Sequence, residues 1–166
     1  VGRTVGLVGD VAASLGQGGG AGCAMLAGSF EPFSAVAQTA EVWSADMAAD
    51  ALQQDLIRMI DVRSRQEWTD TGVAGDAWPI SLHEDRFAER LLAAREQAEG
   101  RPVVLICATG GRSGRVMRSL RQAGYSGFLD VSEGMPGSAA GPGWIAGGYP
   151  VVGVDAALAA LPEELS

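Results

Sequence analysis

Cys107-Ala108-Thr109-Gly110-Gly111-Arg112-Ser113 is the segment whose residue types and spacing can do chemistry. It follows the apolar run Val103-Val104-Leu105-Ile106 and precedes a helix pattern that reaches about Ala123. A cysteine at a strand end, then a small-residue loop, then a helix, has a physical logic. Loop amides pointing inward cradle anionic charge. The helix amino terminus adds a partial positive charge, and Arg112 adds a full one. All three favour thiolate over thiol, which makes Cys107 a candidate nucleophile. Gly110 and Gly111 let the backbone curl without a Cβ penalty. Four residues separate Cys107 from Arg112. A cysteine phosphatase uses five there to hold a tetrahedral phosphate, so phosphatase or arsenate reductase chemistry is disfavoured. The smaller ring suits a cysteine carrying one extra sulfur. The plainer alternative is a structural cysteine closing a core strand.

Composition narrows the field. Among 166 residues there are 12 basic and 20 acidic, a net charge of -8. That argues against nucleic acid or an anionic membrane as a generic partner. Every basic residue is arginine, which excludes Schiff-base lysines and lysine-dependent phosphate loops from this chain. One histidine and two cysteines supply neither a multi-histidine metal site nor a zinc tetrad, so no metal is expected. No stretch approaches the ~18 uninterrupted apolar residues of a membrane span.

The elements that must position the loop follow from periodicity. Val42-Trp43 is a short strand candidate, and Ser44 caps a helix from about Ala45 to Gln54. Leu56 to Arg63 reads as a buried strand. Ser64 then caps a short helix, with Glu67 completing a capping box. Ala77 to Ile80 is a weaker strand, placed at an edge by Pro79. A charged amphipathic helix runs from about Glu84 to Glu99, and Gly100 stops it. Phe128 to Val131 is the last strand. This alternation predicts an α/β fold, a parallel sheet with helices on both faces. Sites in such sheets lie at the carboxyl ends of strands, where Cys107 falls.

Other candidates carry plainer readings. Asp61 and Arg63, at a strand end, are expected to be supporting residues: Asp61 accepts loop amides and Arg63 pairs with a carboxylate. Arg115, Arg118 and Arg121 follow Arg112 at spacing three. A solvated face is the simple reading, with Arg115 nearest the cradle the best functional candidate. His83 reads as a surface or capping residue, Trp78 and Trp144 as core or pocket wall, and Ser132 and Glu133 as pocket rim. Cys23 is a resolving thiol, a lipidation site or, most simply, neither.

Glycine, 24 of 166, divides the chain. Residues 1–40 form a glycine-rich leader that reads as linker. An export signal is the alternative, with Arg3 at its basic end and Ala35-Val36-Ala37 as a small-residue cleavage site, although Asp10 and Glu31 interrupt it. The expected location is cytoplasmic, or exported and periplasmic if the leader is a signal. Residues 41–153 form the domain and 154–166 a C-terminal tail.

The Cys107–Ser113 loop resembles the active-site loop of the rhodanese-like sulfurtransferases, single-domain type. Asp61-Val62-Arg63-Ser64 with Glu67-Trp68, and Thr71-Gly72-Val73-Ala74-Gly75-Asp76-Ala77, resemble further family segments in order. So do Gly124-Tyr125, Val131-Ser132-Glu133-Gly134-Met135, and Gly143-Trp144 with Tyr149-Pro150-Val151. The resemblance spans roughly residues 41–152. It implies a five-stranded parallel sheet flanked by helices and a sulfurtransferase without a cofactor. Cys107 attacks a small sulfur donor such as thiosulfate, becomes a persulfide, and passes sulfur to cyanide or a thiol. Ala108, Thr109, Gly110, Gly111, Arg112 and Ser113 bind the substrate, and Arg112 braces the loop or holds an anionic donor. Two departures stand out. The family's Gly-His-Ile-Pro-Gly histidine is replaced at Val73 or a neighbour. Ala108 stands where many thiosulfate users have a cation, which turns the expectation toward a protein persulfide partner or small thiol donor. The non-catalytic alternative is a binding or sulfur-relay module.

Overall fold

The structure is a computed structural model, described here for residues 42–166. The leader, Cys23 and the export-signal reading lie outside the described residues. Three apolar four-residue strands make the sheet centre: β2 (Arg58–Asp61), β5 (Val103–Ile106) and β6 (Phe128–Val131). Two short strands, β1 (Val42–Trp43) and β4 (Trp78–Pro79), form the edges. The order is β1-β6-β5-β2-β4 and every pairing is parallel. The sequence-based expectation of a five-stranded parallel sheet is met. Pro79 lacks an N–H, and it sits on the edge strand where that loss is tolerated. A separate two-stranded antiparallel pair joins β3 (Val73–Ala74) to β7 (Val151–Val152).

Helices cover both faces. They are α1 (Ala45–Gln53), α2 (Arg65–Thr71), α3 (Phe87–Gln97), α4 (Gly111–Gln122), α5 (Gly143–Ala146) and α6 (Val154–Ala159). The Ser44 side chain accepts from the Met47 amide, and Ser64 forms a reciprocal capping box with Glu67. Each such cap satisfies amide donors that a helix start leaves open. A closing 3-10 turn, Glu163–Leu165, returns to α3. Leu165 is buried, and its carbonyl accepts Arg90 Nε at 3.0 Å and Nη2 at 2.6 Å. Residues 154–166 are therefore folded.

Two boundaries differ from expectation for local reasons. Helix α3 starts at Phe87, not Glu84, because Arg86 adopts the left-handed conformation (φ 61°) and Glu84 is drawn into ion pairs with Arg65 and Arg90. Strand β2 is shorter than the Leu56–Arg63 run. The Leu56 amide closes the end of α1 by donating to the Ala51 carbonyl, and Arg63 turns into a buried ion pair.

Alternation along the strands sorts the core into two. Met59, Val104, Ile106 and Val131 pack with Trp43, Trp68 and Trp144 on one face. Ile60, Val103, Leu105, Cys107 and Phe128 pack with Leu91 and Met117 on the other. Each such aliphatic side chain contributes about 1.5–3 kcal/mol on burial. The period of two delivers Cys107 to the face that carries α3 and α4. Among the described residues, no helix is long and apolar enough to cross a membrane.

Candidate active site

Cys107 sits one residue past the carboxyl end of β5, so the central strand of the sheet fixes its height. Its carbonyl accepts the Met135 amide at 2.9 Å, and its residue is 1% exposed. Gly110 then takes a left-handed conformation (φ 77°) as the N-cap of α4, which turns the chain straight into the helix. A Cβ at Gly110 would stand 2.3 Å from the Ser132 carbonyl oxygen. The loop is therefore pressed backbone to backbone against the turn after β6, and glycine is what permits it. Thr109 and Gly111 remain exposed at the mouth, while Ala108 and Gly110 are half-buried.

Ser113, fully buried on the first turn of α4, donates its hydroxyl to Cys107 Sγ at 3.2 Å, with the Gly110 carbonyl at 3.4 Å as a second acceptor. Arg112 points to α2. Its Nη1 donates to Glu67 Oε2 at 2.8 Å and its Nη2 to Oε1 at 2.5 Å. The Arg112 hydrogen bond, followed by those from Ser64, holds the Glu67 carboxyl down to about 2 against the opposing effect of burial. Glu67 raises Arg112 in turn, chiefly by that same bond. Of the two roles expected for Arg112, the geometry supplies the brace: a two-pronged strut from the loop to α2. Exposed His83 has Nε2 3.5 Å from Arg112 Nη1. The sequence marked Glu67 as a capping residue but missed its partnership with Arg112, which lies 45 positions away.

Arg63 pairs with a carboxylate, as expected, and that carboxylate is Asp61. Arg63 Nε and Nη2 donate to the Asp61 carboxylate at 3.0 and 2.8 Å, and the Arg63 amide donates to Asp61 Oδ1. Arg63 also donates to the Thr71 hydroxyl and the Gly72 carbonyl, tying the end of β2 to the end of α2. The pair is buried and makes a structural clasp. Arg115 is exposed on α4, lining an apolar groove with Phe87, Leu91 and Val116. Glu133 is buried and accepts the Gly143 amide at 3.0 Å. Trp144 is core, its Nε1 donating to the Pro150 carbonyl. A residue the sequence analysis left out, Asp130, is 4% exposed on β6 beside this cluster. Its signal was a carboxylate inside an otherwise apolar four-residue strand. Burial pushes its carboxyl up, opposed by the Ser113 hydroxyl and by Arg118.

Residues 44–140 match the family profile of the rhodanese-like domain. Among solved structures, a rhodanese-related protein from Thermoplasma volcanium superposes with a TM-score of 0.50 at 24% identity, covering 68% of this chain and 97% of its own. The rhodanese-like domain of an Anabaena sp. protein superposes with a TM-score of 0.54 at 18% identity, covering 74% and 84%. A Rhodopseudomonas palustris protein described as of unknown function and a possible tyrosine phosphatase reaches 0.52 at 17% identity, covering 68% and 85%. These likenesses are of fold. An uncharacterized protein of Synechocystis sp. is 33% identical over 84 residues, and that match spans 50% of this chain and 43% of the relative's length.

Proposed function

Because this chain belongs to the rhodanese-like domain family, we propose that it is a sulfurtransferase that carries sulfane sulfur as a persulfide on Cys107. The observation that carries this reading is the Cys107 cradle. The sulfur lies at a strand end, below a loop that opens into the amino terminus of a 12-residue helix, with the Ser113 hydroxyl 3.2 Å away. The helix terminus suits an anionic terminal sulfur.

In the loading step, Cys107 Sγ attacks the outer sulfur of the donor. A Cys107 S–S bond forms, the donor's S–S bond breaks, and the donor leaves with that electron pair as sulfite or a thiolate. In the second step the acceptor, cyanide or a thiolate, takes the outer sulfur and returns Cys107 with its electron pair. No cofactor enters. Cys107 is 1% exposed, which favours a slender donor terminus. Both amino groups of Arg112 are engaged by Glu67, and Ala108 brings no charge. That arrangement favours a persulfide over the dianion thiosulfate as donor.

Turnover tests the reading. With a glutathione-persulfide donor and cyanide acceptor, thiocyanate should accumulate over many equivalents, and Cys107→Ser should abolish it. Equal thiocyanate from Cys107→Ser would refute the site. A single equivalent per chain would favour the relay module instead.

A further inference from the structure

Helices α3 and α4 leave an open apolar groove between them that the cradle does not use. It encloses about 490 Å³, with Phe87, Leu91 and Leu92 on one wall and Val116, Leu120 and Tyr125 on the other. Tyr125 is 42% exposed. The other five belong to, or pack against, the core cluster that contains Cys107, so the groove floor is continuous with the support of the cradle. Arg115 also lines the groove, one helical turn along α4 from the loop. At about 1.5 Å per residue, the α4 wall from Arg115 to Ala123 is about 12 Å long, roughly two helical turns.

Charge sets this face apart. The chain carries a net charge of -8, yet residues 108–129 hold four arginines and no carboxylate. Arg112 is engaged by Glu67, so the cation at the cradle end of the groove is exposed Arg115. Near the far end, exposed Arg95 of α3 donates its Nε to the Ser126 carbonyl, next to Tyr125. Glu89 and Glu96 on α3 lie outside the lining, and Glu89 is paired with Arg86. The complementary occupant is a segment with an apolar stripe and acidic flanks. Cys107 is 1% exposed, so a bulky donor must be aligned before its sulfur can reach in, and a groove one turn away can align it.

We propose that the α3–α4 groove docks a protein persulfide donor through an acidic amphipathic helix, whose persulfide then reaches Cys107. The inference rests on Cys107 as the sulfur carrier. The Cys107 thiolate attacks the outer sulfur of the partner's persulfide, a Cys107 S–S bond forms, and the partner's cysteine leaves as a thiolate with the electrons of the broken bond.

The probe is a synthetic peptide about four helical turns long, with leucines at helical spacing on one face, glutamates on the other and a terminal cysteine persulfide. Loading of the full chain is read from the mass of the Cys107 peptide, which separates it from Cys23. At equal low concentration this probe should load Cys107 on the order of 10-fold faster than glutathione persulfide, and a lysine-for-glutamate version should have no such advantage. Arg115→Glu and Tyr125→Ser should each slow the acidic probe on the order of 10-fold and leave glutathione persulfide unchanged. Arg121→Glu makes the same charge change off the groove lining and should leave both rates near wild type. Equal loading by the acidic and lysine probes, or a loss shared by Arg121→Glu, overturns the docking surface. So does a concentration-dependent dimer in sedimentation that Tyr125→Ser dissolves, since the occupant is then a second copy of the chain. Fluorescence anisotropy of the same peptide without its persulfide separates this inference from the one beneath it. Saturable binding that Arg115→Glu weakens, with no sulfur accepted from any donor, would sustain the docking surface and overturn the proposed function. Loading by glutathione persulfide without peptide binding would overturn the docking surface alone.

Discussion

A methyl group at position 134 tests whether the turn after β6 sets the cradle. Gly134 has φ +72°, and a Cβ there would stand 1.9 Å from the Ala108 carbonyl oxygen and 2.7 Å from the Thr109 amide nitrogen. Carbon and oxygen ordinarily approach no closer than about 3.3 Å, so in Gly134→Ala the two backbones must part by roughly 1.4 Å. That movement breaks the Met135-to-Cys107 backbone bond, a loss of about 1 kcal/mol. The left-handed conformation adds about 1–2 kcal/mol. The sum, about 2–3 kcal/mol, lowers Tm by roughly 10 °C for a domain of this size. Displacing catalytic groups by about 1 Å slows a reaction on the order of 100-fold, which is the expected loss in persulfide loading. Gly124→Ala is the control: φ is +86° there, but nothing lies within 4 Å. It carries the same backbone strain without the clash and should load at nearly the wild-type rate. Loading is timed by intact mass after mixing with excess donor. Equal loading rates in the two variants would refute the reasoning.

The Asp61–Arg63 clasp is 0% and 2% exposed, so Asp61→Ala strands a buried guanidinium and should cost about 3–5 kcal/mol in urea unfolding. Asp61→Leu combined with Arg63→Met should recover most of that loss, and a double variant no more stable than the single one would contradict it. The Glu67 carboxyl, held down to about 2 by Arg112 from its ordinary 4.5, lends stability that is complete above pH 4.5 and lost as pH falls toward 2. The stability gap between wild type and Glu67→Gln should therefore be widest above pH 4.5 and shrink on acidification, and a pH-independent gap would contradict the strut.

The sequence made the sheet legible wherever a signal was local. The run Val103–Ile106 into Cys107 and the helix after it needed no long-range information, and the caps at Ser44 and Ser64 were visible in their own first turns. What stayed hidden was carried by distant contacts. Val73–Ala74 has two residues, too few for a period, and finds Val151–Val152 only once the chain has folded. Glu67 and Arg112 look like two ordinary charged residues until α2 and α4 are docked. A carboxylate partner was expected for Arg63, but two residues along a strand end give no hint that Arg63 will turn back onto Asp61. Asp130 required the register: nothing short of its pairing with Leu105 places it on the face of Cys107. The start of α3 moved because Glu84 found two arginines, a preference no helical period encodes.

The central claim is that Cys107 carries the sulfur, and the mass of the Cys107 peptide tests it most directly. After exposure to a persulfide donor and removal of small molecules, the wild-type peptide should gain about 32 Da, one covalently bound sulfur. Cyanide should remove that gain and a second exposure should restore it, while the Cys23 peptide stays unchanged. An unmodified Cys107 peptide across a panel of sulfane donors, or a gain that cyanide does not discharge, would contradict the account.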